Sequence, residues 1–365
     1  MTPAALALCH DPGDAVNWWR VVAPFARLRQ HKLDARVERL VEHGEYRIRQ
    51  DGIVVLPRLV PNPSREAHAY VERMIGALRS AGRAVVYDVD DDLFSEHYVQ
   101  HHLATQWHDG KSADDKRREC AGMVWAMGLM DGVTVASEVL AQLVRSLVCV
   151  PVEVVPNAID VRWFRSRLAA RSLWSGPVTV GWAGGRRPPS DFRELAEAWR
   201  RVAARRPDVR FVVVGDDSVG PLVRELPASQ VERVGFGDVQ DSPMAYQVDI
   251  GCCSVEDEPF NRCKTPIKAW EYALGGAAVV ATPALYRQDV ADGFTGRLAQ
   301  TADEWEAVLV ELIDNAEQRR HLNANLVARV EQLHGLDGQL GHLPRAWYSI
   351  VEARNGKMAM QYASA

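Results

Sequence analysis

The chain of 365 residues carries 43 Lys/Arg against 48 Asp/Glu, a net charge of −5, with 47% hydrophobic and 25% charged residues. These proportions exclude a disordered polyelectrolyte or a chain-wide polycation, and the length fits roughly two domains with cores large enough to need no staples. No apolar run reaches the ~18 residues of a membrane span, and the six cysteines (Cys9, Cys120, Cys149, Cys252, Cys253 and Cys263) show no CxxC spacing, so they read as buried thiols of a reducing compartment.

The start, MTPAALALCH, lacks a basic segment and enters a polar loop; it reads as a first strand, 6–9, rather than a signal peptide. A cytoplasmic location is the expectation, with the oligomeric state open. A loop over 10–17 leads to a helix, 18–30, with Trp18, Val21, Val22, Phe25 and Leu28 on one face. Residues 20–49 hold eight Lys/Arg against four Asp/Glu, plus His31 and His43, which reads either as a helix with a solvated basic face or as a nucleic-acid face. Then follow a strand 53–56 ended by Pro57, a helix 67–81 stopped by Gly82, a strand 84–87, the acidic run Asp88 to Asp92, a helix 116–130, a strand 132–136 and a strand 152–155 ended by Pro156–Asn157. Residues 161–176 lack periodicity and read as a linker. The pattern restarts with strands 178–182, 209–215 and 231–236 around a helix 192–205, with a helical turn at 243–248. Helices 303–314, 317–333 and 342–360 close the chain. Strands alternating with helices predict the α/β class, as two Rossmann-like doubly wound parallel domains.

The stretch 249–283 reads as strand, polar loop, helix and strand: Pro266 opens the helix, Gly275–Gly276 closes it, and Lys264 and Lys268 stand at its mouth. Backbone N–H groups and lysines there suit a phosphate, and Glu271, a turn in, suits a ribose diol. The turn Gly184–Gly185–Arg186–Arg187 follows another strand; its glycines let the backbone approach an anion and its arginines can fork onto phosphate. Both turns leave the carboxyl edge of one parallel sheet, so together they form a diphosphate clamp. In DVDDD, Asp88, Asp90 and Asp91 read as carboxylates at a strand end, either solvated, bound to a cation, or facing a cleft toward sugar hydroxyls or a developing positive charge. His97, His101 and His102 follow, read as lying on a loop. No metal site is assigned.

In chain order, SEVLAQLV (137–144), VEVVPNAID (152–160), VTVGWAGG (178–185), VRFVVVGDD (209–217), KTPIKAWEYALGGAAVVAT (264–282) and DGFTGRL (292–298) resemble motifs of the large retaining group of GT-B fold glycosyltransferases. YDVDDDLF (87–94) resembles a variant in some bacterial and phage-encoded members. The resemblance implies two domains facing a cleft: an acceptor domain at 1–165, a nucleotide-sugar domain at 166–341, and a segment, 342–365, whose helix returns to the first domain. It implies a UDP- or GDP-sugar donor with no divalent cation required. Glu271 then holds the ribose; Gly184, Gly185, Arg187, Thr265, Pro266, Ile267 and Lys268 hold the diphosphate. Arg186, Arg187, Lys264 and Lys268 offset leaving-group charge, and Asp88, Asp90 and Asp91 face the oxocarbenium-like sugar.

The sequence departs from the family at Cys263, eight residues before Glu271, where the group has another glutamate. Glu258 substitutes for it only if the loop is reshaped, and Asp90 or Asp91 stands where the group has a cleft histidine. The implied acceptor is a cell-surface glycan or its lipid-linked precursor. A hydroxymethylated DNA base is the alternative, with Trp18, Trp19 and Trp107 stacking on it or else packing in the core. A sugar-nucleotide-binding protein without transferase activity is a further alternative.

Overall fold

Short β-branched runs such as Ile53–Pro57 and Arg210–Val214 suit parallel strands covered by helices on both faces. A computed structural model of the protein describes residues 4–40, 52–61, 63–105, 110–168, 176–215, 220–235 and 242–363. Two six-stranded sheets form within these residues. The first runs in the order β2-β1-β3-β4-β5-β6, from β1 (Ala5–Cys9), β2 (Ala35–Arg39), β3 (Ile53–Pro57), β4 (Ala84–Val89), β5 (Gly132–Val135) and β6 (Val152–Val154). The second runs β12-β11-β10-β7-β8-β9, from β7 (Thr179–Ala183), β8 (Arg210–Val214), β9 (Val231–Val234), β10 (Ile250–Cys253), β11 (Ala278–Ala281) and β12 (Arg297–Leu298). Every pairing is parallel. The expected class, two doubly wound Rossmann-like domains, is what the protein adopts.

In the second sheet the strand order reverses at β7, which lies between β10 and β8. Val180 pairs with Ile250 and Gly181 with Gly251, so β7 and β10 end level and their loops open a crevice at the carboxyl edge, where ligands bind in such sheets. The helix Ile267–Leu274 is drawn tightly onto β10: a side chain at Gly251 would lie 2.4 Å from the Tyr272 ring.

The last helix, His342–Ala363, returns to the first sheet. Leu343, Ala346, Trp347 and Ile350 share one apolar cluster with Ala5, Ala7, Phe25 and Val86. A Cβ at Gly132 would meet Ile350 at 2.7 Å, so glycine lets the helix approach β5. Trp347 is 1% exposed and packs edge-on against Phe25, with ring centroids 5.5 Å apart. Trp347→Ala is expected to destabilise the protein by about 3–5 kcal/mol, because a large cavity opens between helix and sheet; urea unfolding reads this, and a change under about 1 kcal/mol would show that the helix is not tied to the core.

Four local expectations are corrected. Within residues 20–49, Ala35–Arg39 is an edge strand whose charged residues half-face solvent, a common way to blunt an edge. Helix 18–30 is interrupted by a π-helical turn, Trp18–Val22, before Ala23–Gln30, since Pro24 has no N–H to give the carbonyl four residues earlier. His97, His101 and His102 lie on a helix, Glu96–Ala104, capped by the Ser95 hydroxyl, rather than on a loop. Five cysteines are buried as expected, but Cys149 is exposed.

Candidate active site

The glycine turn after β7 sits directly over the helix Ile267–Leu274. A Cβ at Gly184 would lie 2.5 Å from Lys268 Nζ, so only glycine leaves the ammonium its place. That ammonium is 4.2 Å from the centroid of the Trp182 ring and is buried with no hydrogen-bond partner among the described residues. Burial and the neighbouring Arg187 guanidinium push Lys268 down to about 7. Lys264 is also lowered, by burial and by Arg187, although Asp91 opposes the shift. Two lysines that burial and the Arg187 guanidinium both disfavour as ammonium ions make a crevice suited to an anion.

Glu271 lies one turn beyond Lys268 and is 5% exposed. Burial pushes it up to about 7, against the Tyr246 hydroxyl and Lys268, which favour its ionised form. Arg187 is anchored from behind: Nη1 donates to Asn261 Oδ1 at 3.2 Å and lies 3.5 Å from Asp191. Asn261 Nδ2 in turn donates to Asp191, to the Glu256 carbonyl and to Glu258. A cavity of about 550 Å³ is lined by Asp191, Ser254 and Arg262 among others; Gly184, Arg187, Lys268 and Glu271 do not line it, though Asp191 pairs with Arg187.

Polar contacts cross from the first sheet to this crevice. Lys264 Nζ donates to Asp91 Oδ1 at 2.9 Å and lies 4.3 Å from the Phe260 ring centroid. Asn157, in the segment after β6, donates to Thr265 Oγ1 at 2.7 Å and accepts from Arg20 Nη1 at 3.0 Å. The Ser137 hydroxyl donates to the Cys263 carbonyl at 2.9 Å. His101 Nδ1 meets Glu258 Oε1 and stacks on Phe260, ring centroids 4.0 Å apart.

The structure thus brings Gly184, Arg187, Lys264, Thr265, Lys268 and Glu271 to one crevice. Pro266 caps the helix rather than opening its first turn, and Ile267 begins it. Gly185 and Arg186 are exposed at the tip of the turn. Asp88 is corrected: it is not a cleft carboxylate. β4 is paired on both sides, so Asp88 lies within the sheet, 2% exposed, accepting from Arg20 Nε at 3.0 Å and from Thr134 Oγ1 at 2.6 Å. Asp90 and Asp91 are not a solvated strand end either, since Arg58 holds both. Asp92 caps the following turn through the Ser95 hydroxyl and N–H. Cys263 points into the apolar cluster of the first domain, and burial pushes its thiol up to about 12.

Trp18 and Trp19 pack on Trp163, with centroids 4.8 and 5.6 Å away, rather than forming an open stacking platform. Trp107, His43 and the rest of 41–50 lie outside the described residues. Among the described residues no group of three or more His, Cys, Asp or Glu is placed to hold a metal ion, and no helix is long and apolar enough to cross a membrane. Sequence reasoning missed Arg58, Arg20 and the role of Asn157. The available signal for Arg58 was a cation directly after a strand-ending proline.

Two Rossmann-like domains, with a crevice at the strand-order reversal of the second and a last helix returning to the first, give this chain the GT-B fold. Residues 177–315 match the family model of glycosyl transferases group 1. A Bacillus subtilis (strain 168) protein named for teichuronic acid biosynthesis, the glycosyltransferase TuaH, is 29% identical over 139 residues, 36% of this chain and 34% of that relative. The chain is therefore matched to about a third of that relative's length. Among solved structures, Anabaena Alr3699/HepE in complex with UDP-glucose superimposes with TM-score 0.62 at 16% identity, covering 95% of this chain and 99% of that one. Sucrose-phosphate synthase from Thermosynechococcus elongatus gives TM-score 0.63 at 15% identity, covering 97% and 100%. At such identities these likenesses establish the fold.

Proposed function

We propose that the protein transfers a sugar, with retention, from a nucleoside-diphosphate sugar to an acceptor hydroxyl. The observation that carries the reading is the unpartnered, buried Lys268 ammonium beneath Gly184, with Arg187 and Lys264 beside it. In this reading Lys268, Arg187 and the backbone at 265–267 bind the diphosphate, and Glu271 accepts from the ribose hydroxyls. These cations supply the charge that a divalent ion would otherwise provide to the leaving group. The acceptor hydroxyl approaches on the face from which the diphosphate departs, and a departing diphosphate oxygen takes its proton. Asp90 and Asp91 face the sugar from the first domain. Residues 1–165 hold the acceptor, 166–341 the donor, and 342–365 return to the first domain.

UDP is the nucleotide we put first, since HepE was crystallised with UDP-glucose. For the acceptor, a glycan or its lipid-linked precursor is favoured over DNA. Arg20 and Arg27 of the basic stretch are engaged in ion pairs with Asp88, Asp160 and Asp337, and the two tryptophans are packed on Trp163. A thermal-shift series with UDP and GDP, followed by assays of nucleotide release from their sugars, tests the proposal. Saturating nucleotide at a hundredfold its Kd stabilises the native state by about 2.7 kcal/mol. No shift with any nucleoside diphosphate would sink the reading; binding without any turnover would leave a sugar-nucleotide-binding protein.

A further inference from the structure

β3 ends at Pro57, and the next residue, Arg58, takes φ 45°, in the left-handed region where side-chain residues are disfavoured and glycine is the usual occupant. Such a backbone persists where the surroundings over-determine it, and it concentrates at functional sites. Here the Arg58 N–H donates to the Asp88 carbonyl at 2.8 Å, carrying the β3–β4 pairing one residue past Pro57. The side chain then forks onto two carboxylates. Nε donates to Asp90 Oδ1 at 2.7 Å, and Nη2 lies 2.6 Å from the same oxygen and 3.0 Å from Asp91 Oδ2. The other Asp91 oxygen holds Lys264 at 2.9 Å. One guanidinium on the first sheet therefore fixes the carboxylate that meets the lysine of the second.

We propose that Arg58 is a positioning residue for the transfer reaction, holding Asp90 and Asp91 so that Asp91 sets the place of Lys264 at the head of the diphosphate loop. The inference rests on the transferase reading above. A lysine is a point charge on a flexible stem, so a fixed anion is needed to hold it. Two adjacent half-buried carboxylates repel each other unless a cation neutralises them, and a planar fork meets both where a single ammonium does not. The electrostatics agree with the geometry. Burial raises Asp90 even with Arg58 in place. Burial would raise Asp91 too, yet Lys264 and Arg58 together hold it well below the usual carboxylate range. Without Arg58, Asp91 has one cation fewer and a neighbour that draws protons.

The test measures nucleotide release and UDP affinity for Arg58→Met, Arg58→Lys, Arg58→Gly and Asp91→Asn. Arg58→Met and Arg58→Lys are expected to lower kcat by about 10- to 100-fold, the scale of a roughly 1 Å misplacement, while UDP affinity stays within about threefold. In both variants activity is expected to fall off at a higher pH on the acid side than in the unaltered protein, as Asp91 titrates closer to its ordinary range. Combining Arg58→Met with Asp91→Asn is expected to cost little more than either alone, because both act through one contact. Should Arg58→Met fail to fold, Arg58→Gly carries the test, since glycine relieves the left-handed backbone while removing the fork. Folded variants with kcat and pH profile within about twofold of the unaltered protein would overturn the assignment. UDP binding and turnover by the unaltered protein report on the transferase reading separately, so the two failures are distinguishable.

Discussion

Replacing Lys268 by Met is expected to give a protein that is more stable when empty and holds a nucleoside diphosphate far more weakly. The ammonium is buried without a hydrogen-bond partner, and its folded value, about 7, lies below the ordinary 10.5. The sign follows from linkage. The stability of the neutral form is fully present above about 10.5 and is lost as pH falls to about 7, so near neutral pH the empty fold carries close to the whole cost. Met keeps the stem against Trp182 and removes the charge; a gain on the order of 2–4 kcal/mol is expected at pH 7. Donor affinity is expected to fall by about two orders of magnitude, since contacts to a charged diphosphate each contribute about 1.5–3 kcal/mol. Melting curves with and without UDP read both effects. A variant that binds UDP normally would remove Lys268 from the site. In the unaltered protein, binding at pH 8 is expected to take up close to one proton, because the diphosphate restores the lysine charge. Calorimetry in two buffers of different ionisation enthalpy reads this, and an enthalpy independent of the buffer would contradict it.

Glu271 carries the second large effect. Its folded value, raised to about 7, lies above the ordinary 4.5. Its stabilising contribution is therefore fully present below about 4.5 and lost as pH rises through about 7, and at pH 8 the buried carboxylate costs the empty fold on the order of 1–3 kcal/mol. Glu271→Gln is expected to recover part of that stability while lowering UDP affinity by about 10- to 100-fold, because one acceptor oxygen of the carboxylate becomes a donor. The discriminating measurement compares UDP with a deoxyribose analogue. The unaltered protein is expected to separate them and the variant to treat them nearly alike; undiminished discrimination in the variant would place the ribose elsewhere.

Much of the proposed donor side was legible from sequence because its geometry is local. The glycine turn follows a strand, Pro266 and Gly275–Gly276 bound a helix, and Lys268 and Glu271 fall one turn apart on it. The first domain was less legible because its decisive contacts span long separations. Asp88 looks like its neighbours in DVDDD, yet strand pairing on both sides puts it inside the sheet and gives it to Arg20, 68 residues away. Cys263 stood out as a substitution, but only packing shows that it is a buried apolar contact with the first domain.

Sequence alone determined the α/β class, the restart of the pattern near residue 178 and the helix that follows Pro266. Hydrophobic periodicity, turn residues and caps act over a few positions, so they can be read along the chain. Tertiary structure decided which charges are available to a ligand. Lys268 is left unpartnered, Lys264 is held by Asp91, and Arg20 is buried in an ion pair. Availability depends on desolvation and on partners brought together by strand order and domain contact, and neither quantity is written in local sequence.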